Sequence, residues 1–170
     1  MKLELNLNIR LYRYFDQITS NPYRLVLAMP IFLVISNLLI FHVLGGANAT
    51  CSGQGLFSNE GLFEQFFLLV IIGPAFETII FHFLLLELLL FMFQKAKYKY
   101  VFVILISSLI FAITHQLQIH FFIISFIGGI IFSWSYIIAK IKNMIPVVIV
   151  FLIHALANLG IFLINLPSRI

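Results

Sequence analysis

Five long apolar runs occupy most of this chain, and the residues between them are short, polar or basic. The first run extends from about Leu25 to Leu44 and is closed by Gly45 and Gly46. Pro30 falls inside it, which a membrane helix tolerates as a kink. The second, from Phe66 to Phe93, is longer than the roughly 20 residues one crossing requires. It contains Gly73-Pro74. Proline favours the first turn of a helix, so the run predicts either a helix restarted just before Glu77 or one long tilted helix. The third run covers about Tyr100 to Leu117, the fourth Phe121 to Ala139, and the fifth Pro146 to Leu166. Gly128-Gly129 gives the fourth a place for close helix approach. Ahead of them, residues 1–24 alternate at first and then space Leu11, Phe15 and Ile18 at helical period among Arg10, Arg13 and Arg24. That predicts an interfacial segment on the cytoplasmic leaflet. The pattern as a whole predicts an all-α, polytopic membrane bundle in one domain over 1–170. It has five spans, or six helices if the second run breaks at Gly73-Pro74.

Composition agrees. The chain is 62% hydrophobic and 9% charged, with a mean hydropathy of +1.12, where soluble domains carry about 25% charged residues. The net charge of +4 reads as topology, not nucleic-acid binding. Lys2, Arg10, Arg13 and Arg24 precede the first run, Lys95, Lys97 and Lys99 follow the second, and Lys140 and Lys142 follow the fourth. The opposite loops have no Lys or Arg, and only Arg169 dissents. The positive-inside rule then predicts a cytoplasmic N-terminus, with the first run serving as an uncleaved signal-anchor. A single cysteine, Cys51, leaves no intrachain disulfide or thiolate cage. The sequon Asn48-Ala49-Thr50 in the polar loop 45–65 is a weak signal by itself.

Against this background Glu77, His82, His115, His154 and Asn158 stand out, because hydrocarbon penalises unpaired polar side chains. At 1.5 Å rise per residue, Glu77 lies roughly 16 Å below the outer start of its run and His115 roughly 22 Å above the inner start of its own. His154 and Asn158 lie roughly 12 and 18 Å above the inner start of the fifth. Similar depths on three separate segments predict that these groups meet. His154 and Asn158, four apart, share one helix face.

The chemistry such a set suits is peptide-bond hydrolysis. Glu77 acts as general base on water, His115 orients water or substrate, and His154 and Asn158 donate to the oxyanion. Zinc held by Glu77, His115 and His154 is the minor alternative, without an HExxH pair to support it. Taken singly, Asn158 reads as interhelical glue and His115, like His42 and His120, as a headgroup-boundary residue. Glu87 reads as reaching headgroups or Lys95.

Three short patterns on these runs resemble the motifs of the intramembrane CAAX-protease and bacteriocin-processing (CPBP) family, which includes abortive-infection-like members. The family's first motif is a Glu-Glu pair, then three intervening residues, then Arg. Here it stands as Glu77-Thr78-Ile79-Ile80-Phe81-His82, so Thr78 replaces the second Glu and His82 the Arg. The second, Phe then His four residues on, matches at Phe111 and His115. The third, His then Asn or Asp four residues on, matches at His154 and Asn158. The likeness spans about residues 66 to 166.

It implies an intramembrane endopeptidase with Glu77, His115, His154 and Asn158 as its catalytic set. Thr78, His82 and Phe111 support them, and no cofactor is expected. The implied partners are a membrane peptide or protein substrate and lipid, not nucleic acid, and the implied location is a bacterial cytoplasmic membrane. The Thr78 and His82 departures replace an ion pair by a neutral hydrogen bond, one helical turn apart. They leave open a catalytically inactive scaffold or immunity-type binding protein on the same fold. A proton-relaying transporter is a third reading, disfavoured by the lack of a visible repeat.

Overall fold

The computed structural model describes residues 21–43, 61–115 and 119–166. These form five helices with no strand among the described residues: α1 (Pro22–Val43), α2 (Leu62–Met92), α3 (Lys99–His115), α4 (Ile119–Ile141) and α5 (Pro146–Ile164). Four are long and apolar enough to cross a membrane, and α3 is an apolar helix of 17 residues, at the lower limit for a span. The chain is an integral membrane protein. Residues 1–20 of the expected interfacial segment 1–24, the sequon, Cys51 and the end of the third run at Leu117 lie outside the described residues, and residues 22–24 belong to α1.

The boundaries expected from the apolar runs hold to within a few residues, but α2 differs in kind. It does not break at Gly73-Pro74 into two helices; it is continuous over 31 residues. It absorbs the proline by widening. Phe67–Ile72 and Thr78–Leu84 are π-helical, and Leu62–Phe66, Gly73–Glu77 and Leu85–Met92 are α-helical. The Gly73 N–H reaches back five residues to the Leu68 carbonyl, and the Leu85 N–H likewise to Ile80. A wider turn ahead of Pro74 relieves the clash its ring would make in an α-ladder. A Cβ at position 73 would stand 3.0 Å from the Leu68 oxygen, so any larger residue would have to push that carbonyl back by a few tenths of an ångström.

Helix α4 lies at the centre, packed on α1, α3, α5 and the second π segment of α2. Its closest neighbour is α3, where a Cβ on Gly129 would lie 2.9 Å from Ser108 Cα. The approach expected at Gly128-Gly129 is therefore real, and it is made against a serine. Ser107 and Ser133 continue the seam, the Ser133 hydroxyl donating to Ser107 at 3.3 Å. Small polar side chains let membrane helices close on each other where bulk would hold them apart. Phe111, Phe132, Ile153 and Ala157 belong to the buried core this creates. Leu27, Ile31 and Leu39 on α1 and Phe76, Ile80 and Leu84 on α2 remain exposed, the lipid-facing counterpart of a core that is not purely apolar.

The turn from α4 to α5 ends α4 with Asn143 at φ 54°. The Asn143 N–H donates to Lys140 and the Met144 N–H to Ala139, a left-handed helix stop that asparagine tolerates. Ile145 is extended and Pro146 starts α5. At this same end of the bundle Lys140 Nζ pairs with both Glu87 oxygens, and the Tyr136 hydroxyl donates to Glu87 at 2.7 Å. The expectation that Glu87 pairs with Lys95 is thus corrected to Lys140. The end of α4 comes alongside α2 and offers a cation that sequence distance hid.

Candidate active site

Three helices bring one carboxylate and two imidazoles together. Glu77 closes the short α-helical piece between the π segments of α2, His115 ends α3, and His154 sits midway along α5. Glu77 Oε2 lies 3.3 Å from His115 Nε2 and 3.4 Å from His154 Nε2. Both separations are longer than a tight N–H···O bond, so the carboxylate is held between the rings without being locked to either. The Glu77 side chain is 32% exposed and that of His154 6%. The acid is therefore partly exposed while the deeper imidazole is enclosed.

The proton on His115 follows from its other nitrogen. His115 Nδ1 is 2.8 Å from the Phe111 carbonyl oxygen, which can only accept, so Nδ1 is the ring's N–H. A neutral ring would then turn a lone pair from Nε2 toward Glu77. A hydrogen bond there requires one further proton on the pair, carried by His115 as imidazolium or by Glu77 as the acid. The arrangement is a proton store beside a carboxylate.

Phe111 and Phe132 pack this set. The Phe111 ring is centred 4.0 Å from His115, 5.0 Å from His82 and 6.3 Å from His154. Phe132 stacks on His154 at 4.4 Å and lies 5.1 Å from His82. Phe132 had no motif to announce it; Gly129, which lets α4 approach α3, precedes it by three residues.

The expectation for Thr78 and His82 changes here. Thr78 and His82 do not bond to each other: Thr78 Oγ1 and both His82 nitrogens are buried with no hydrogen-bond partner among the described residues. The physical reason is the π segment that begins at Thr78, whose wider turn redirects side chains four and five residues apart. It sends His82 into the core, against the same phenyl rings that hold His115 and His154. His82 thus joins the cluster through Phe111 and Phe132, where five α-helical residues from Glu77 would have kept it away. Asn158 joins two helices, as its reading taken singly expects. Its Nδ2 donates to the Leu69 carbonyl at 2.9 Å, so that donor faces the backbone of α2. His120, at the start of α4, packs on Phe41 and Phe121 at 5.5 and 4.4 Å. Among the described residues no group of three or more His, Cys, Asp and Glu is arranged to hold a metal ion.

A polytopic helical bundle with a carboxylate and two imidazoles meeting between its spans has the make-up of an intramembrane hydrolase. The model of the Rce1-like family, type II CAAX prenyl endopeptidase Rce1-like, matches residues 59–160, which include the whole of this cluster. The chain belongs to that family, one of proteases. No curated protein and no solved structure matches it at a significant level.

Proposed function

We propose that this protein is an intramembrane endopeptidase that cleaves membrane-associated peptides or proteins with water activated by Glu77. The observation that carries the reading is the single oxygen, Glu77 Oε2, within 3.4 Å of two imidazole nitrogens from two other helices. The Glu77 carboxylate takes a proton from water as the oxygen attacks the scissile carbonyl. His154 Nε2 donates to the oxyanion, in an enclosure where such a donor acts strongly. The proton stored on the Glu77–His115 pair then passes to the leaving amine as the C–N bond breaks. No step requires a metal, and zinc held by Glu77, His115 and His154 remains the competing chemistry. The N-terminal side is read as cytoplasmic from the placement of Lys and Arg, and a bacterial cytoplasmic membrane is what the family resemblance implies.

The test is cleavage of prenylated and unprenylated CAAX-type peptides by the protein reconstituted in lipid. Glu77→Gln should reduce turnover at least about a hundredfold with unfolding unchanged, and a strong chelator should leave the wild type active. Full activity of Glu77→Gln would remove the protease mechanism, and loss with chelator restored by zinc would favour the metal. A silent scaffold on this fold is the second reading, supported by the unpartnered Thr78 and His82 where the family motif has Glu and Arg. It predicts cleavage by neither wild type nor variant.

A further inference from the structure

In the hydrogen-bond ladder of α2 the Leu69 carbonyl has lost both of its natural donors. An α-helical turn would supply the N–H of Gly73, but that group goes to Leu68. A π-helical turn would supply the N–H of residue 74, and Pro74 has none. The carbonyl faces the interior of a membrane protein, where an unpaired backbone oxygen is costly. Asn158, one turn beyond His154 on α5, donates to this oxygen from Nδ2 at 2.9 Å.

We infer that Asn158 is a positioning residue for α2: its side-chain N–H replaces the one Pro74 lacks and holds the widened turn that carries Glu77 to His115 and His154. Glu77 lies three positions after Pro74 in the same α-helical piece, Gly73–Glu77, so a shift at the orphaned carbonyl passes directly to the carboxylate. The same bond ties α2 to α5 beside His154 and sets the gap between Glu77 and that imidazole. The catalytic consequence rests on the reading of Glu77 as general base. The role in the helix does not.

The two parts separate in a double-mutant cycle of Asn158→Ala and Pro74→Ala, each variant measured in lipid for thermal unfolding and for peptide cleavage. Asn158→Ala should unfold at lower temperature and cleave at least about tenfold more slowly. Pro74→Ala restores an N–H at position 74, so in its presence the Asn158→Ala loss should shrink in both readouts. Additive losses in unfolding temperature would overturn the proposal. Rescue of unfolding without rescue of cleavage would overturn its catalytic half and return Asn158 to direct contact with the oxyanion. If the wild type cleaves nothing, the unfolding cycle still decides the helix role, and the failure belongs to the protease reading.

Asn158→Asp provides a second route should Pro74→Ala not fold. An ionised Asp keeps the shape of Asn but cannot donate. Its unfolding temperature relative to wild type should therefore fall at pH 8 and recover as the pH is lowered and the acid regains an O–H. Stability unaltered at a pH where the introduced carboxyl is ionised would overturn the donor role.

Discussion

At the scale of single residues, His82 is the least expected side chain. It is fully buried and flanked by Phe111 and Phe132, and neither ring nitrogen has a hydrogen-bond partner among the described residues. Burying an unpaired polar group costs about 1–3 kcal/mol, so replacing it by an apolar side chain of similar bulk should cost little or help. His82→Leu is expected to unfold at the same or a higher temperature, by up to about 2 kcal/mol. A clear drop would mean that the ring has a bonding partner after all. His154→Ala tests the opposite kind of residue: removal of an oxyanion donor should lower kcat roughly a hundred- to a thousandfold in steady-state cleavage, more than it alters KM. Glu77, His115, His154 and Asn158 were all legible in sequence because hydrocarbon makes them conspicuous. What each nitrogen bonds to was not, since Phe111 O and Leu69 O are backbone atoms that every residue carries.

At the scale of elements, packing depends on where small residues fall. Gly129 and Gly160 both face a neighbour closely, but the neighbours differ. A Cβ at 129 would meet Ser108 Cα, backbone of α3, at 2.9 Å; one at 160 would meet Val34 Cγ2, a side-chain methyl of α1, at 2.8 Å. Backbone cannot swing aside, so Gly129→Ala should force α3 and α4 apart and cost about 1–3 kcal/mol. Gly160→Ala should cost less, because a methyl group can shift. Thermal unfolding of the two variants in the same detergent checks the order, and a larger loss at 160 would contradict it. The position of Gly128-Gly129 was readable as a close-packing site. The widening of α2 was not, because Gly-Pro in an apolar run is equally compatible with a break, a kink and a π turn, and neighbouring helices decide among them.

For the whole molecule, the pairing of Glu87 with Lys140 places the ends of α2 and α4 on the same side, as five alternating crossings demand. Both side chains are more than a third exposed, so the pair is expected to contribute no more than about 1 kcal/mol in a double-mutant cycle. Its value is as a marker of topology. With Cys51 replaced, a single cysteine at Lys97 in right-side-out vesicles should resist a membrane-impermeant thiol reagent until the vesicles are opened. One placed at Asn48 should react at once. The reverse pattern would invert the orientation derived from the distribution of Lys and Arg.

The sequence by itself determined the class of molecule, the approximate limits of its described helices, and the residues worth asking about. Hydrophobic transfer and the cost of buried polar groups are properties of side chains and can be read one position at a time. Tertiary structure decided the rest. It kept α2 unbroken and turned His82 toward Phe111 and Phe132. It joined Glu87 to Lys140 instead of Lys95, and set Asn158 on the carbonyl that Pro74 leaves without a donor. Each of those outcomes depends on which groups from other helices stand within a few ångströms. Distance along a chain does not encode that proximity.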